Sequence, residues 1–143
     1  MRLGRTLRAA VAGAVAAGAW AAVEPTLREL TGGYHSQVRL IGGLAAPDGR
    51  WQEVGLAVHL ANGAGFGVAF AWLGLGGAGQ GILAAEAENT LLWPAVGVLD
   101  RIHPDVRSGE WPPLARNPNA FAQEVLGHAV FGAVLGVLVR RPG

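Results

Sequence analysis

The sequence predicts an all-α fold, namely an integral membrane four-helix bundle with a short cytoplasmic hairpin and two longer outer loops. Charged residues make up 15% of the chain, against about 25% in soluble proteins. No Asp, Glu, Lys or Arg occurs from Val54 to Ala85, and about 20 apolar residues are enough for a helix to cross a bilayer. Two more stretches of low charge, at residues 9–23 and 120–139, extend this pattern to both ends of the chain.

Composition also limits the functions that the chain can have. The absence of Cys excludes a disulfide framework, a Cys nucleophile and thiolate metal ligands. A formal net charge of +1 is too small for the basic surface that non-specific nucleic-acid binding needs. No GK[ST], H-E-x-x-H or G-x-S-x-G motif occurs, so the residues indicate no enzymatic mechanism. We therefore expect the lipid bilayer as a partner, and no nucleic acid.

The sequence indicates where the first two predicted spans begin or end. Span one, residues 8–24, ends at Glu24-Pro25 because proline stops or kinks a helix. Its Ala and Gly content makes it weakly hydrophobic, so it depends on packing through small residues. Span two, residues 54–75, begins just after an interfacial Trp51.

The last two predicted spans follow an uncharged hairpin at residues 74–79. Span three, residues 78–99, reaches Trp93-Pro94 near its exit. Span four, residues 119–139, begins at Asn119, whose side chain can cap the helix. The four spans together make one transmembrane domain that covers residues 1–143.

Two polar segments separate the spans. Residues 25–53 have loosely spaced apolar positions and predict a short amphipathic or re-entrant piece. Residues 100–118 are rich in proline and predict an irregular loop on the membrane surface. An alternative interpretation of the N-terminus is a cleaved signal peptide, because arginines precede an Ala-rich run there.

Arginine placement predicts the orientation, since cytoplasmic segments carry an excess of basic residues. Four spans put both termini on one face, with Arg2, Arg5, Arg8, Arg140 and Arg141. The opposite face carries Arg28, Arg39, Arg50, Arg101, Arg107 and Arg116. The number of arginines on each face does not decide the orientation. The terminal arginines, however, cluster at the ends of the spans, whereas those in the loops are mixed with acidic residues. We expect a protein of the bacterial inner membrane with both termini in the cytoplasm.

Polar side chains inside the spans are the candidate functional residues, because an ionisable group in hydrocarbon normally faces the bundle interior. The predicted buried site consists of His59, Asn62, Glu86, Glu124 and His128. His59 and Asn62 share one helix face, as do Glu124 and His128. Glu86 and Glu88 are two residues apart, so both cannot face one site. The alternatives are a structural ion pair or hydrogen bond by which Glu124 and His128 tie span four to its neighbours, and a single interhelical hydrogen bond from His59, for example to Glu86 or Gln123.

Glycine spacing is typical of close helix packing in lipid. Three small-residue motifs predict packing surfaces at Gly63 and Gly67, Gly77 and Gly81, and Gly132 and Gly136. The same glycines could alternatively form the seam of a homo-oligomer or bind a larger membrane complex.

Several motifs resemble the YagU-type inner-membrane family. The matching pieces are Glu24-Pro25, His59-x-x-Asn62, Gly79-Gln80-Gly81-Ile82-Leu83-Ala84, and the stretch from Asn119 to Arg141 with its Glu124-x-x-Gly127-His128 core. The resemblance covers about two thirds of the chain in scattered pieces, whereas Glu86 and Glu88 are particular to this sequence. It implies an inner-membrane protein with a cytoplasmic N-terminus and a loose association with acid tolerance. It also puts His59, Glu124 and His128 on motif positions.

Three hypotheses for the function follow from these residues. The first is a membrane protein that responds to or conducts protons or ions through His59, Glu124 and His128, because histidine titrates near neutral pH. The second is a haem or transition-metal protein in which His59, Glu124 and His128 supply ligands. The third is a structural or assembly subunit of a membrane complex. The residues leave the cofactor open, with none as the first expectation.

Overall fold

The computed structural model describes residues 3–46 and 49–139, and within these ranges it consists of helices and their connections, with no strand. The α-helices within them are α1 (Leu3–Thr31), α2 (Gln37–Ala45), α3 (Trp51–Trp72), α4 (Ala78–Leu92), α5 (Val96–Ile102), α6 (Pro104–Arg107) and α7 (Pro118–Leu138). A short 3-10 helix, Trp93–Ala95, joins α4 to α5. The predicted all-α class is therefore confirmed.

Three of these helices, α1, α3 and α7, are long and apolar enough to cross a membrane. Less than half of the apolar window in each helix is buried inside the chain. Large apolar side chains lie on the outside instead, as shown by Leu3, Leu7, Val11 and Val15, which recur every four residues along α1. An apolar exterior of this kind is what lipid contact requires and what water disfavours.

The third predicted span is not confirmed as a single α-helix. Instead of running through residues 78–99, α4 ends at Leu92 and a 3-10 turn leads into α5. The cause is Pro94, which has no N–H to donate and whose ring crowds the preceding turn. At 1.5 Å per residue, the 15 residues of α4 extend about 22 Å, less than the roughly 30 Å hydrocarbon core. The described chain thus has three candidate membrane helices rather than four.

The predicted end of the first span at Glu24-Pro25 is also wrong, since α1 continues to Thr31 with Pro25 inside it. Proline removes one backbone hydrogen bond, but buried contacts on both sides of it maintain the helix. Leu27, beyond the proline, is buried in the same apolar cluster as Trp20 and Ala17. Tertiary packing therefore outweighs the local preference for a helix end.

One polar segment contains the short amphipathic piece that the sequence predicts, and the other is more ordered than predicted. Residues 25–53 contain α2, which begins after Ser36, whose hydroxyl accepts a hydrogen bond from the Arg39 N–H. The predicted loop at residues 100–118 contains the end of α5 and all of α6, and its Trp111 is buried. We refer to α2, α6 and residues 108–117 together as the cap.

The start of α7 lies slightly earlier than predicted. Asn117, not Asn119, is the N-cap, because its side-chain oxygen accepts from the backbone N–H groups of Asn119 and Ala120. Pro118 occupies the first helical position, where its missing N–H costs nothing.

Glycines set the distance between paired helices. Gly63 and Gly67 of α3 lie directly against Gly13 of α1, and a Cβ at any of them would overlap the opposite backbone. Gly81 of α4 lies equally close to Gly132 of α7. At the end of this second seam, the Gly77 N–H donates to the Gly136 carbonyl at 2.8 Å, and Gly77 has a positive φ of 87° that favours glycine. The predicted packing glycines thus lie at contacts between helices of one chain. They are therefore not available to form the seam of a homo-oligomer, which was the alternative.

The helices form a curved row. α1 packs against both α3 and α7, α4 packs against α7, and α2 packs against α3. The antiparallel seams bring the start of α1, the hairpin after α3 and the end of α7 to one end of the molecule, and the cap lies at the other. Arg2, Arg140 and Arg141, on which the predicted orientation partly depends, lie outside the described residues.

Candidate functional site

A cavity of about 730 Å³ lies on the concave side of the helix row. Helices α3 and α4 both line it, α1 and α7 contribute between them, and α2 and α5 line it near the cap. The volume falls within the roughly 300–1,000 Å³ range of small-molecule sites. Its walls are largely apolar and aromatic, including Trp20, Phe66, Trp93 and Phe131.

A buried carboxylate of α7, Glu124, organises the polar part of this cavity. His35, in the α1–α2 connection, has its Nε2 2.6 Å from Glu124 Oε1, and both side chains are almost fully buried. Gln37, at the start of α2, donates from Nε2 to the other oxygen, Oε2. Because a carboxylate only accepts, the His35 Nε2 is the donor. Glu124 therefore fixes the connection and the start of α2 to α7.

Two further hydrogen bonds strengthen this attachment. Glu24 of α1 is buried, and its Oε2 accepts from the Gln37 backbone N–H at 2.7 Å. Gln123, next to Glu124 on α7, donates from Nε2 to the His35 carbonyl at 2.9 Å. The start of α2 is consequently held by carboxylates from both α1 and α7.

His59 and His128 pack against the same indole ring. The Trp20 centroid lies 5.2 Å from that of His59 and 4.6 Å from that of His128. His59 Nε2 donates to the Ala17 carbonyl of α1 at 3.1 Å, so the predicted alternative of a single interhelical hydrogen bond is confirmed, but the partner is neither Glu86 nor Gln123. His128 Nδ1 donates to the Glu124 carbonyl, one turn earlier, at 2.8 Å. The structure therefore brings both histidines to one cavity, with the indole beside each of them.

The acidic residue that α4 contributes to the cavity is Glu88 rather than Glu86. Glu88 and its neighbour Asn89 line the cavity, as does the predicted Asn62 of α3, whereas Glu86 does not. The two glutamates point to different sides because two residues correspond to about 200° around a helix. Glu86, which the sequence assigns to the buried site, thus does not line this cavity, whereas Glu88 does.

The predicted metal ligands do not fit a metal centre. Within residues 3–46 and 49–139, no group of three or more His, Asp or Glu side chains is arranged to hold an ion. His59 Nε2 is already bonded to a backbone carbonyl, and both Glu124 oxygens are bonded to His35 and Gln37. A haem held between His59 and His128 meets a further obstacle, since the Trp20 ring packs against both imidazoles.

Arg39 holds the cap together outside the cavity. Its guanidinium lies 2.7 Å from Asp105 and 2.6 Å from Glu110, and it stacks over the rings of Trp51 and Trp111. The hydrogen bond to Asp105 is the main cause that raises the pKa of Arg39 above its usual value, so the cation persists at every physiological pH. On the other face of Trp111, His103 stacks at 5.0 Å and is fully buried.

Sequence reasoning missed the residues that contact Glu124. His35 and Gln37 lie in a segment that the hydropathy pattern assigns to the surface, and Glu24 has the pattern of a helix end. One signal was available, since Ser36 before an apolar run is typical of a helix start. That signal locates α2, but it does not indicate that the residues on either side of Ser36 reach α7.

Comparison with protein-family profiles, with curated proteins and with solved structures gave no match to this chain. The resemblance to the YagU-type family is therefore a prediction that rests on the motifs alone. What the structure defines is an all-helical protein with three helices able to cross a membrane and a polar cluster at one end of a largely apolar cavity.

Proposed function

We propose that this protein is a small polytopic membrane protein that responds to protons through a buried cluster centred on Glu124. The observation that carries the proposal is the 2.6 Å contact between His35 Nε2 and Glu124 Oε1, which joins the start of the cap to α7. A buried contact between an imidazole and a carboxyl group suits a proton response, because histidine is the side chain that serves as a switch near physiological pH.

The charges around Glu124 explain why protons should act there. The titratable groups that face this region are Glu24 on α1, His35 before α2, His59 on α3, Glu88 on α4 and His128 on α7. No arginine is ion-paired with these carboxylates among the described residues. Protons are then the means by which the cluster can balance its negative charge, since buried charges require compensation.

Proton uptake changes the attachment of α2. An ionised Glu124 accepts hydrogen bonds from both His35 and Gln37, whereas a protonated carboxyl offers fewer acceptor sites and becomes a donor. The attachment through Glu24 weakens in the same way. Protonation of these two carboxyl groups therefore loosens α2 from α1 and α7. The rest of the cap, which Arg39 holds to α2, moves with it.

A distance measurement tests this response directly. The natural chain has no Cys, so spin labels at Ala45→Cys on α2 and Ala122→Cys on α7, both exposed, report one distance in lipid nanodiscs. We expect a longer and broader distance distribution at about pH 5 than at about pH 8, the range in which histidine and carboxyl groups gain protons. A distribution that does not change with pH contradicts the proposal.

Two variants locate the response. Glu124→Gln removes the charge with little change of shape, so we expect the acid-like distribution at every pH. Glu53→Gln, an exposed position on the first turn of α3, is the matched control and should respond like the natural protein. An equal pH response in both variants would show that the proton does not bind at Glu124.

Membrane location and orientation are part of the same proposal. We place the protein in a bacterial inner membrane with both termini in the cytoplasm and the cap outside. The resemblance to the YagU-type family and the clustered terminal arginines support this placement. The alternative is that the same cluster conducts protons. Proton flux into liposomes that contain the natural protein, and its loss in the Glu124→Gln variant, would support conduction.

A further inference from the structure

The cavity beside the Glu124 cluster combines an acidic polar end with a large apolar body. Two carboxylates, Glu88 and Glu124, are among its lining residues, and Arg is absent from that lining within the described chain. Both carboxylate oxygens of Glu124 already accept hydrogen bonds, from His35 and from Gln37. Glu88 makes no hydrogen bond or ion pair with the described residues, so its carboxyl group is available to a ligand in the cavity. Burial raises the pKa of Glu88, and a cationic ligand beside it would favour the ionised form.

The imidazoles add acceptors to this end of the cavity. In their neutral forms, His35 and His59 donate from Nε2 and His128 donates from Nδ1, as their bonds to Glu124 and to two backbone carbonyls require. The second nitrogen of each neutral ring is then an acceptor. His35 Nδ1 is buried and has no partner within the described chain. A ligand that donates hydrogen bonds would satisfy these atoms.

Asn89 provides an independent indication of a ligand. Its side chain lines the cavity, only 4% of the residue is exposed, and its Nδ2 has no hydrogen-bond partner among the described residues. A buried amide without a partner is costly, because the loss of its hydration is not compensated. Such a group at the wall of a cavity is typical of a position that a ligand completes, and since Nδ2 is a donor, its partner would be an acceptor atom of the ligand rather than the ammonium group.

We infer that the cavity binds a lipophilic amine, whose ammonium group lies between Glu88 and the histidine nitrogens and whose apolar body packs against the aromatic walls. The carboxylate of Glu88 supplies the opposite charge. Trp20, Phe66, Trp93 and Phe131 supply apolar surface and the electron-rich ring faces that attract cations. This inference goes beyond the proposed proton response and does not depend on it, since Glu88 is not part of the Glu124 attachment.

Three probes with one apolar body test the charge preference. 1-Adamantylamine, 1-adamantanol and 1-adamantanecarboxylate differ only in the polar group, and their binding to the natural full-length protein in nanodiscs is measured by calorimetry at about pH 8. Quenching or enhancement of tryptophan emission gives a second readout, because Trp20 and Trp93 line the cavity. We expect the amine to bind at least tenfold more tightly than the alcohol, and the carboxylate to bind most weakly. Equal affinities, or no amine binding, overturn the inference.

A matched pair of variants assigns the site to one side of α4. Glu88→Gln should weaken amine binding about tenfold and leave binding of the alcohol unchanged. Glu86→Gln alters the same residue type two positions away but outside the cavity lining, so it should leave all three affinities unchanged. Equal loss in both variants would mean that the amine binds by general charge attraction, which contradicts a site at Glu88.

The outcomes remain separable from those of the proton response. Failure of amine binding with an intact, pH-dependent distance between α2 and α7 overturns the ligand inference alone. Selective amine binding together with a distance that ignores pH overturns the proton response alone. Far-ultraviolet circular dichroism and gel filtration of each variant confirm that it is folded, and the comparison of probes on the natural protein needs no variant.

Discussion

His35 in the α1–α2 connection and Glu124 on α7 form a direct, buried contact of 2.6 Å across 89 positions of sequence. The contact joins a short helix that lies outside the predicted spans to a helix that can cross a membrane. It makes the cap part of the helix bundle rather than a loop resting on it. The consequences for stability and for proton response follow from the same pair of atoms.

The first prediction concerns the energy of that pair. His35→Ala and Glu124→Gln should each lower the free energy of unfolding by about 1.5–3 kcal/mol, because a hydrogen bond to a charged group is lost in a buried place. The double variant should lose clearly less than the sum, since both changes remove one interaction. Thermal unfolding in a mild detergent, followed by circular dichroism, measures the cycle. Additive losses would show that the two side chains are not energetically coupled.

The second prediction concerns the glycine seam between α4 and α7. Gly81→Ala places a methyl group into the Gly132 carbonyl, so the helices must separate and lose their packing. We expect a loss of about 1–3 kcal/mol, as for other overpacked sites. Gly79→Ala, two residues earlier and with open space at the Cβ position, is the control and should be neutral or slightly stabilising. Equal melting temperatures for the two variants would contradict the close approach of these helices.

The sequence predicts the helical class well because charge-free length and glycine spacing are local signals. The four apolar stretches and the packing motifs can be found by inspection, and helices form at all of them. Two helix boundaries, at Pro25 and Pro94, could not be predicted. Proline lies inside a helix at the first position and interrupts one at the second. The outcome depends on buried neighbours such as Leu27, which a local pattern does not reveal.

The candidate site was predictable only for residues on the spans. His59, Asn62, Glu124 and His128 reach the cavity because helix periodicity and depth place them on inward faces. His35 and Gln37 reach it through a turn of the chain after α1, and no periodicity encodes that turn. Choosing between Glu86 and Glu88 required the rotation of α4 about its own axis, which the contact of Gly81 with α7 determines.

The third prediction concerns Arg39 in the cap. Arg39→Lys keeps the charge but cannot contact Asp105 and Glu110 together while stacking between Trp51 and Trp111. We expect a loss of about 1 kcal/mol, reduced from the value of a buried pair because the side chain is partly exposed and screened by solvent. The raised pKa of Arg39 means that its stabilising effect is complete below its unfolded pKa and is lost only as pH rises through the higher folded value.

The Arg39 substitution also tests whether the ion pairs of the cap are independent of the titratable groups in the cavity. The lost stability should be insensitive to pH from about 5 to about 8, because the arginine stays charged throughout that range. Thermal melts of both proteins at these two pH values, at low and high salt, provide the comparison. A difference between the melting temperatures that changes with pH by more than the experimental scatter would indicate that a histidine or carboxyl group titrates with this cluster.

The fourth prediction concerns topology. Ser108 in the cap and Gly79 at the start of α4 lie at opposite ends of the bundle, and both are exposed. In intact bacterial cells, a membrane-impermeant maleimide should label Ser108→Cys directly and label Gly79→Cys only after the membrane is opened. The natural chain without Cys provides a background free of label. Labelling of Gly79→Cys alone in intact cells would reverse the proposed orientation, and labelling of both would contradict a bundle that crosses the membrane.

The fifth prediction links the two proposals through charge. Protons that bind at the Glu124 cluster remove negative charge from this end of the cavity, and the loss of negative charge disfavours an ammonium group. The affinity for 1-adamantylamine should therefore fall as the pH decreases from about 8 to about 5, while the affinity for 1-adamantanol changes little. By linkage, the bound amine should shift the distance response between α2 and α7 to lower pH. Calorimetry across this range and the spin-label distances with saturating amine measure both effects, and amine affinity that rises in acid would contradict a shared cavity.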